Sequence, residues 1–294
     1  MVVQQSLNLW FKGARPKTLP AAVAPVLVGS ACASVEDSVA HVWGNSFLAL
    51  IVSLALQVAV NFANDYSDGI RGTDLDRIGP MRLVGSGAKK PNEVKRAAFI
   101  AFAIAAIFGL WLAIATSWWL LAVGAASIAA GWFYTGGSKP YGYYGFGELF
   151  VFIFFGVVAT TGTTFVVNQS ITPTSFVASI AVGCLACALL VINNLRDIPG
   201  DTLAGKKTLA VRLGDKQTRR IYYVLIVISG LAILQMAVEN PSVLIGLLGL
   251  LAAVPAIKKV CDGSAGRDLI GVLGATGRTQ MLTAMALSIG LVLA

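Results

Sequence analysis

Residues 46–68 read SFLALIVSLALQVAVNFANDYSD, an apolar run that ends in carboxamide and carboxylate side chains. A membrane-spanning helix needs about 20 mostly apolar residues, and the run before Asn61 supplies most of that length. Ionisable side chains are costly to place within a membrane segment, and where they occur they usually serve a function. This stretch therefore predicts a membrane helix with functional acids at one end.

The rest of the chain repeats this apolar character. Of its 294 residues, 56% are hydrophobic and 12% are charged, and the mean hydropathy is +0.77. This composition excludes an ordinary soluble domain. We predict an all-α integral membrane protein that forms one transmembrane domain over residues 1–294, with nine transmembrane helices. The predicted spans are 19–35, 46–66, 97–115, 118–136, 147–167, 174–194, 221–238, 241–258 and 279–294.

The basic residues give these spans a direction. Once the nine spans are drawn, all 22 Lys and Arg residues fall on the same side of the membrane. Because cytoplasmic loops carry the excess of Lys and Arg, we predict a cytoplasmic amino terminus and a carboxyl terminus outside. The net charge of +8 then reflects orientation, contact with anionic membrane lipid and an anionic substrate, and we predict no nucleic-acid partner.

A second acidic segment ends the sixth predicted span, where residues 174–201 read TSFVASIAVGCLACALLVINNLRDIPGD. Residues three or four apart share a helix face. Two aligned sets follow, provided that the second helix continues past Pro199: Asn61, Asp65 and Asp68 in the first segment, and Asn193, Asp197 and Asp201 in the second.

Carboxylates that lie so close together resist ionisation unless a cation sits between them. Mg²⁺ fits, because it prefers oxygen ligands and binds through a few carboxylates and substrate phosphate oxygens. We predict that Asp65, Asp68, Asp197 and Asp201 are catalytic metal ligands, with Asp74 as a further ligand. Polar and basic residues of the same loops are predicted to bind an anionic substrate: Asn61, Asn64, Arg71, Arg82, Lys139, Asn193, Arg196 and Lys206.

The segments Asn64-Asp65-Tyr66-Ser67-Asp68 and Asp197-Ile198-Pro199-Gly200-Asp201 resemble the N-D-x-x-D and D-x-x-x-D motifs of the intramembrane aromatic prenyltransferases. That superfamily is named for 4-hydroxybenzoate polyprenyltransferase. Further segments within residues 14–20, 64–80, 134–137, 145–148 and 193–209 are similar to the branch that acts on 1,4-dihydroxy-2-naphthoate in menaquinone synthesis. The superfamily's usual third Asp is replaced by Gly72, and Asp74 stands two positions later, as that branch generally has it.

The resemblance implies a central cavity within the nine helices, with the two Asp segments facing each other at its cytoplasmic mouth. It implies Mg²⁺-dependent transfer of a polyprenyl group from polyprenyl diphosphate to 1,4-dihydroxy-2-naphthoate, in a bacterial cell membrane. Loss of CO₂ and diphosphate gives demethylmenaquinone. Arg15 or Lys17 would hold the ring carboxylate. Aromatic candidates for shielding an allylic cation are Tyr134, Phe152, Phe154 and Phe155.

Two alternatives stay open. The first is the same prenyl transfer onto another aromatic acceptor, such as 4-hydroxybenzoate, because the choice of acceptor depends on the shape of the cavity, which the sequence does not display. A secondary transporter also has repeated halves and intramembrane charges, although its site normally lies near the membrane midplane. The sequence does not decide the prenyl chain length, the number of metal ions or the oligomeric state. The final proton acceptor is also open, with Glu148, Tyr141, Tyr143 and Tyr144 as candidates.

Overall fold

The computed structural model describes residues 2–35, 39–73 and 79–294, and in this part of the chain the regular structure is all helical, without a strand. The helices run in the following order: α1 Val2–Gly13, α2 Pro20–Ser34, α3 Val39–Ile70, α4 Pro91–Ala115, α5 Trp119–Phe133, α6 Gly147–Asn168, α7 Pro173–Leu203, α8 Leu209–Ala237, α9 Pro241–Cys261 and α10 Leu269–Val292.

The apolar helices support a multi-pass membrane protein. Within the described residues, six helices are long and apolar enough to cross a bilayer, namely α3, α4, α6, α7, α8 and α9. A seventh span results if Leu7–Thr18 and Pro20–Ser34, which meet at 55°, form one broken span. Helix α5 is a shorter apolar helix of 15 residues. The predicted helical membrane fold is confirmed, whereas the number of nine spans stays a prediction.

Helix α7 lies at the centre of the fold. It packs against α2, α6, α8 and α10, and 78% of its most apolar stretch is buried, against 33–39% for the other five spanning helices. A helix surrounded in this way needs apolar residues on all sides, which explains the unbroken run from Ala181 to Ile192. The acidic end of α7 is therefore held by the most deeply packed element of the protein.

Close contacts between glycines fix α6 against α7. A Cβ atom on Gly156 would lie 2.6 Å from the Cα atom of Gly183, so the two backbones can approach this closely because neither residue has a side chain. A π-helical stretch, Phe152–Val158, spans this contact. It sets the rotation of α6 and thereby decides which of its aromatic residues face inward.

Several helices extend beyond the predicted spans, and the largest difference is at α8, which begins at Leu209, twelve residues before the predicted start at 221. Helix α3 continues to Ile70 and α7 continues past Pro199 to Leu203, so both acidic segments lie on helix ends. Helix α10 begins ten residues before the predicted span at 279. Its first half contains Thr276 and Gln280, which lower the hydropathy, yet both side chains are fully buried between helices.

Candidate active site

One cavity of about 640 Å³ joins the acidic ends of α3 and α7. Its interior is formed mainly by apolar residues of α3, α5, α6 and α7, and Ala49 marks how far it extends along α3 from the acidic mouth. Between Asp68 and Ala49 this helix rises about 28 Å. Its polar mouth is lined by Asn61, Asn64, Asp68, Arg82, Asn193, Arg196, Asp197, Asp201 and Lys206. The cavity thus combines a charged mouth with a long apolar interior.

Lys206 links the two acidic segments directly. Its Nζ atom lies 3.2 Å from Oδ1 of Asp68 and 3.8 Å from Oδ1 of Asp201. The guanidinium of Arg82 approaches the other oxygen of Asp68 at 3.7 Å. Residues from α3, α7 and the two following loops therefore meet at one point, and Lys206 brings Asp68 and Asp201 together.

Tyr143 completes this cluster from the loop between α5 and α6. Its hydroxyl donates a hydrogen bond of 2.6 Å to Oδ1 of Asp68. Its ring faces the ammonium of Lys206, with 4.8 Å between Nζ and the ring centroid, a distance suited to a cation–π contact. Burial, reinforced by the Asp68 carboxylate, raises the pKa of Tyr143 well above its usual range. The phenol therefore remains protonated as a donor, which contrasts with its predicted role as a proton acceptor.

Arg196 and Asp197 form a fork on the α7 side of the mouth. The Nε and Nη2 atoms of Arg196 each donate a 2.7 Å hydrogen bond to one oxygen of Asp197, and Nη2 also donates to Asn193 at 2.8 Å. The remaining nitrogen, Nη1, is buried and has no hydrogen-bond partner among the described residues. Because the fork fixes the guanidinium plane, Nη1 is a donor ready for an added acceptor.

Asp65 lies apart from the cavity lining. Its side chain is fully buried, and its oxygens accept hydrogen bonds from the backbone N–H groups of Leu83 at 2.7 Å and Val84 at 3.0 Å. These bonds hold the loop that carries Arg82. The role of Asp65 as a metal ligand stays a prediction.

Two further predicted binding residues of α3 contact neighbouring segments. The amide of Asn61 donates to the carbonyl of Ala14 at 2.9 Å and to the hydroxyl of Thr18 at 3.1 Å. The carbonyl of Asn64 accepts a 2.7 Å bond from the hydroxyl of Thr135. Both residues line the cavity, and each also anchors a loop at its mouth.

Arg71, Lys139 and Lys17 lie outside the cavity lining. The guanidinium of Arg71 donates to the backbone carbonyls of Thr135 and Gly137, so it braces the loop after α5. Lys139 and Lys17 are exposed. By contrast, Arg15 lines the cavity. The predicted ligand Asp74 lies outside the described residues.

Aromatic rings form a row along one wall of the cavity. Tyr134 packs on Tyr141 with 5.5 Å between ring centroids, and the row continues to Phe150 at 4.0 Å and to Phe154 at 6.1 Å. Phe155 also lines the cavity. Phe152 does not face this space, because the π-helical stretch turns it against Gly183 of α7.

Sequence reasoning missed Gln57, Thr18 and Phe150. Gln57 lies one turn before Asn61 on α3 and donates to the hydroxyl of Thr18 at 3.1 Å. The i, i+4 spacing of Gln57 and Asn61 was the available signal, because two carboxamides on one face of an apolar helix need polar partners. Phe150 lies four residues before the predicted candidate Phe154 on the same helix face, and this spacing was the available signal.

The oxygen-rich mouth fits a divalent cation in its ligand chemistry. The carboxylates of Asp68 and Asp201 already share one positive charge, the ammonium of Lys206. Oxygen ligands of this kind suit Mg²⁺. However, no cluster of three or more acidic, His or Cys side chains within the part of the chain that the structure describes is close enough to hold a metal ion. Mg²⁺ usually binds through one or two carboxylates together with water and phosphate oxygens, and Asp68 and Asp201 are two such carboxylates.

An apolar cavity with a charged mouth, set among membrane helices, defines a multi-pass membrane protein with a site for an anionic head group on an apolar chain. The chain belongs to the UbiA prenyltransferase family, whose sequence model matches residues 22–267. It is similar to the 1,4-dihydroxy-2-naphthoate octaprenyltransferase of Mycobacterium tuberculosis, with 48% identity over 283 residues that cover 96% of each protein.

Solved structures show the same fold. A UbiA homolog from Aeropyrum pernix K1 matches 94% of this chain and 98% of its own length, with a TM-score of 0.73 at 14% identity. A UbiA homolog from Archaeoglobus fulgidus, bound to DMAPP and Mg²⁺, matches 97% of this chain and 99% of its own, with a TM-score of 0.59 at 16% identity. At these identities the likeness shows the fold alone.

Proposed function

We propose that this protein transfers a polyprenyl group from polyprenyl diphosphate to 1,4-dihydroxy-2-naphthoate, with loss of CO₂ and diphosphate, in menaquinone synthesis. The observation that carries the proposal is the contact of Lys206 with Asp68 and Asp201 at the mouth of an apolar cavity. A charged mouth suits a diphosphate, and the apolar interior suits a prenyl chain. The name of the Mycobacterium tuberculosis relative supports the acceptor.

The diphosphate is assigned to the mouth. Lys206 and Nη1 of Arg196 donate to its oxygens, and Arg82 adds a third positive charge. Asp68, Asp197 and Asp201 would hold Mg²⁺ together with the diphosphate, and Asp65 and Asp74 are further proposed ligands. When bound, Mg²⁺ would neutralise part of the diphosphate charge and so favour its departure. The donors stabilise the negative charge that develops on the departing diphosphate. Fixed dipoles and charges accelerate a reaction most when they are directed at the position where charge develops in the transition state.

The bonds that break and form in this reaction balance, and no further reactant is needed. The allylic C–O bond breaks, and its electron pair leaves with the diphosphate. The ring carbon that carries the carboxylate then forms the new C–C bond, and loss of CO₂ returns an electron pair to the ring. The product is the prenylated hydroquinone, the reduced form of demethylmenaquinone. No ring proton is removed, so an acceptor deuterated at the neighbouring carbon should keep its label, and loss of the label would contradict this route.

The aromatic row protects the reacting carbon from water. Tyr134, Tyr141, Phe150 and Phe154 present ring faces and edges along the cavity wall. Ring faces attract cations, and apolar walls exclude the water that would otherwise capture an allylic cation.

The proposed membrane arrangement has nine spans in one domain of a bacterial cell membrane. It treats α2 to α10 as the spans, with a cytoplasmic amino terminus and an outer carboxyl terminus. The distribution of all 22 basic residues supports this orientation. A reporter enzyme fused to the carboxyl terminus should be active only outside the membrane, and activity in the cytoplasm would contradict the arrangement.

The test of function is an assay in membranes with 1,4-dihydroxy-2-naphthoate and labelled polyprenyl diphosphate, with and without Mg²⁺. We expect a prenylated product with Mg²⁺ and loss of product in Asp68→Asn and Asp201→Asn. Asp215→Asn is the control, because Asp215 forms an ion pair with Arg219 outside the cavity and should leave activity unchanged. If the protein prenylates 4-hydroxybenzoate in preference to 1,4-dihydroxy-2-naphthoate, the proposed acceptor is wrong. Ion-coupled uptake without prenyl transfer would instead indicate a transporter.

A further inference from the structure

Arg15 is a further positively charged residue of the cavity lining, in addition to Lys206, Arg82 and Arg196. Arg15 adopts a left-handed backbone conformation, with φ 54° and ψ 70°. Within the described residues, Gln169 is the other non-glycine residue with positive φ. A bulky side chain pays a conformational cost in this region, and such residues persist where surrounding bonds hold them, often at sites that clamp ligands.

Bonds from α3 hold the segment in this conformation. The hydroxyl of Thr18 donates a 2.9 Å hydrogen bond to the carbonyl of Arg15. Asn61 in turn donates to the carbonyl of Ala14 at 2.9 Å and to the Thr18 hydroxyl at 3.1 Å, and Gln57 donates to the same hydroxyl. Two buried carboxamides of a membrane helix thus serve to position one short turn.

Among the residues that the structure describes, no acid forms an ion pair with Arg15. Its side chain lines the cavity, its Nη2 atom is buried, and no described residue accepts a hydrogen bond from Nη2. The other cavity cations differ, because Lys206 and Arg82 contact Asp68, and Arg196 contacts Asp197. A cation in a partly buried site without an opposite charge is unfavourable, and a bound anion removes that cost.

The turn that carries Arg15 is anchored to α3 at a different point from Asp68. Asn61, which anchors this turn, precedes Asp68 by seven residues on α3, which is a rise of about 10 Å along the helix. Lys17, the other candidate for the ring carboxylate, is exposed and lies outside the cavity lining. The structure therefore separates two residues that the sequence left equivalent.

We propose that Arg15 binds the ring carboxylate of the aromatic acceptor and thereby positions the ring. This inference rests on the proposed function. A guanidinium binds a carboxylate through paired hydrogen bonds, which fixes the orientation of the ring as well as its charge. It also keeps the carboxylate ionised, and the ionised group is the one that can leave as CO₂.

The test compares Arg15→Asn with Lys17→Asn as the matched control. Asn tolerates the left-handed conformation better than most residues, and Arg15→Gly, which accepts it without strain, is the second variant should Asn impair folding. In the Arg15 variants we expect the KM for 1,4-dihydroxy-2-naphthoate to rise about 10- to 100-fold, as for loss of a hydrogen bond between charged groups. The KM for polyprenyl diphosphate should stay unchanged, and Lys17→Asn should change neither constant.

Two inhibitors distinguish a carboxylate site from general damage. Inhibition by 1-hydroxy-2-naphthoate should weaken in the Arg15 variants by the same factor as the acceptor KM, whereas inhibition by 1-naphthol, which has no carboxylate, should not change. Equal weakening of both inhibitors, or a raised KM for polyprenyl diphosphate, would overturn the inference. Wild-type protein without prenyl transfer would instead overturn the proposed function, so the two failures are distinguishable.

Discussion

The acidic ends of α3 and α7 carry the same residue types, yet their side chains are bound in different ways. On α3, Asp65 accepts hydrogen bonds from two backbone N–H groups of the following loop, and Asp68 lines the cavity. On α7, Asp197 is paired with Arg196, and both it and Asp201 line the cavity. The first segment thus uses one acid to hold its own loop, whereas the second presents both acids at the mouth.

The largest effect is expected at the two acids of α3, because substitution of Asp68 should lower activity and substitution of Asp65 should lower stability. Asp68→Asn should lower kcat by about 100-fold or more, because it removes a charge at the point where diphosphate binds, while the melting temperature stays near that of the wild type. Asp65→Asn should lower the free energy of unfolding by about 1–3 kcal/mol, because an amide cannot accept two backbone bonds equally well. Prenyl transfer and thermal unfolding in detergent measure the two effects.

The comparison between Asp65 and Asp68 is contradicted if Asp65→Asn lowers activity and Asp68→Asn lowers stability. A stable Asp65→Asn protein without activity would make Asp65 the more important metal ligand. A destabilised Asp68→Asn protein would make Asp68 structural. Asp215→Asn, an acid on the same side of the membrane but outside the cavity, controls for loss of charge alone.

An intermediate effect tests the fork on α7. Arg196→Lys keeps the charge but loses the paired geometry and the free Nη1 donor, so kcat/KM for polyprenyl diphosphate should fall about 10- to 100-fold. Arg219 forms a similar fork with Asp215, at 2.6 and 2.9 Å, outside the cavity. Arg219→Lys is therefore the matched control, and equal losses in both variants would show that the effect is not specific to the mouth.

The smallest effect concerns the hydroxyl that links the two segments. Tyr143→Phe removes the donor to Asp68 and keeps the ring over Lys206, so activity should fall about 2- to 10-fold. Because the pKa of Tyr143 is raised, the hydroxyl stays protonated, and the ratio of wild-type to variant activity should be constant between about pH 6 and pH 9. A ratio that changes within this range would indicate that Tyr143 titrates. Tyr144→Phe, at an exposed tyrosine, is the control.

Hydropathy and helical spacing predicted much of this arrangement. The apolar runs predicted the membrane helices, and the resemblance to the prenyltransferases implied that the two acidic segments face each other. Helical spacing could not distinguish the role of Asp65 from that of Asp68, because both residues lie on the same helix face. Leu83 and Val84, which bind Asp65, lie 18 and 19 residues later in the chain and donate through their backbone N–H groups. Side-chain identity does not reveal a contact of this kind.

The same limit applies to Arg15 and to the aromatic row. The sequence placed Arg15 and Lys17 side by side, but the left-handed turn that directs Arg15 to the cavity depends on Thr18 and Asn61. The sequence likewise offered Phe152, Phe154 and Phe155 as cavity residues, of which Phe154 and Phe155 line the cavity together with Phe150, whereas Phe152 packs against Gly183. Both outcomes depend on local backbone geometry that periodicity does not encode.

The most direct test of the central claim is a double-mutant cycle between Asp68→Asn and Asp201→Asn, measured as kcat/KM for polyprenyl diphosphate with saturating acceptor and Mg²⁺. If the two segments form one site joined by Lys206, the double variant should lose little more activity than the more damaging single variant, with a coupling energy of about 1 kcal/mol or more. If the free-energy losses of the two single variants instead add up to the loss of the double variant, the two acids act independently, and this result would contradict the account.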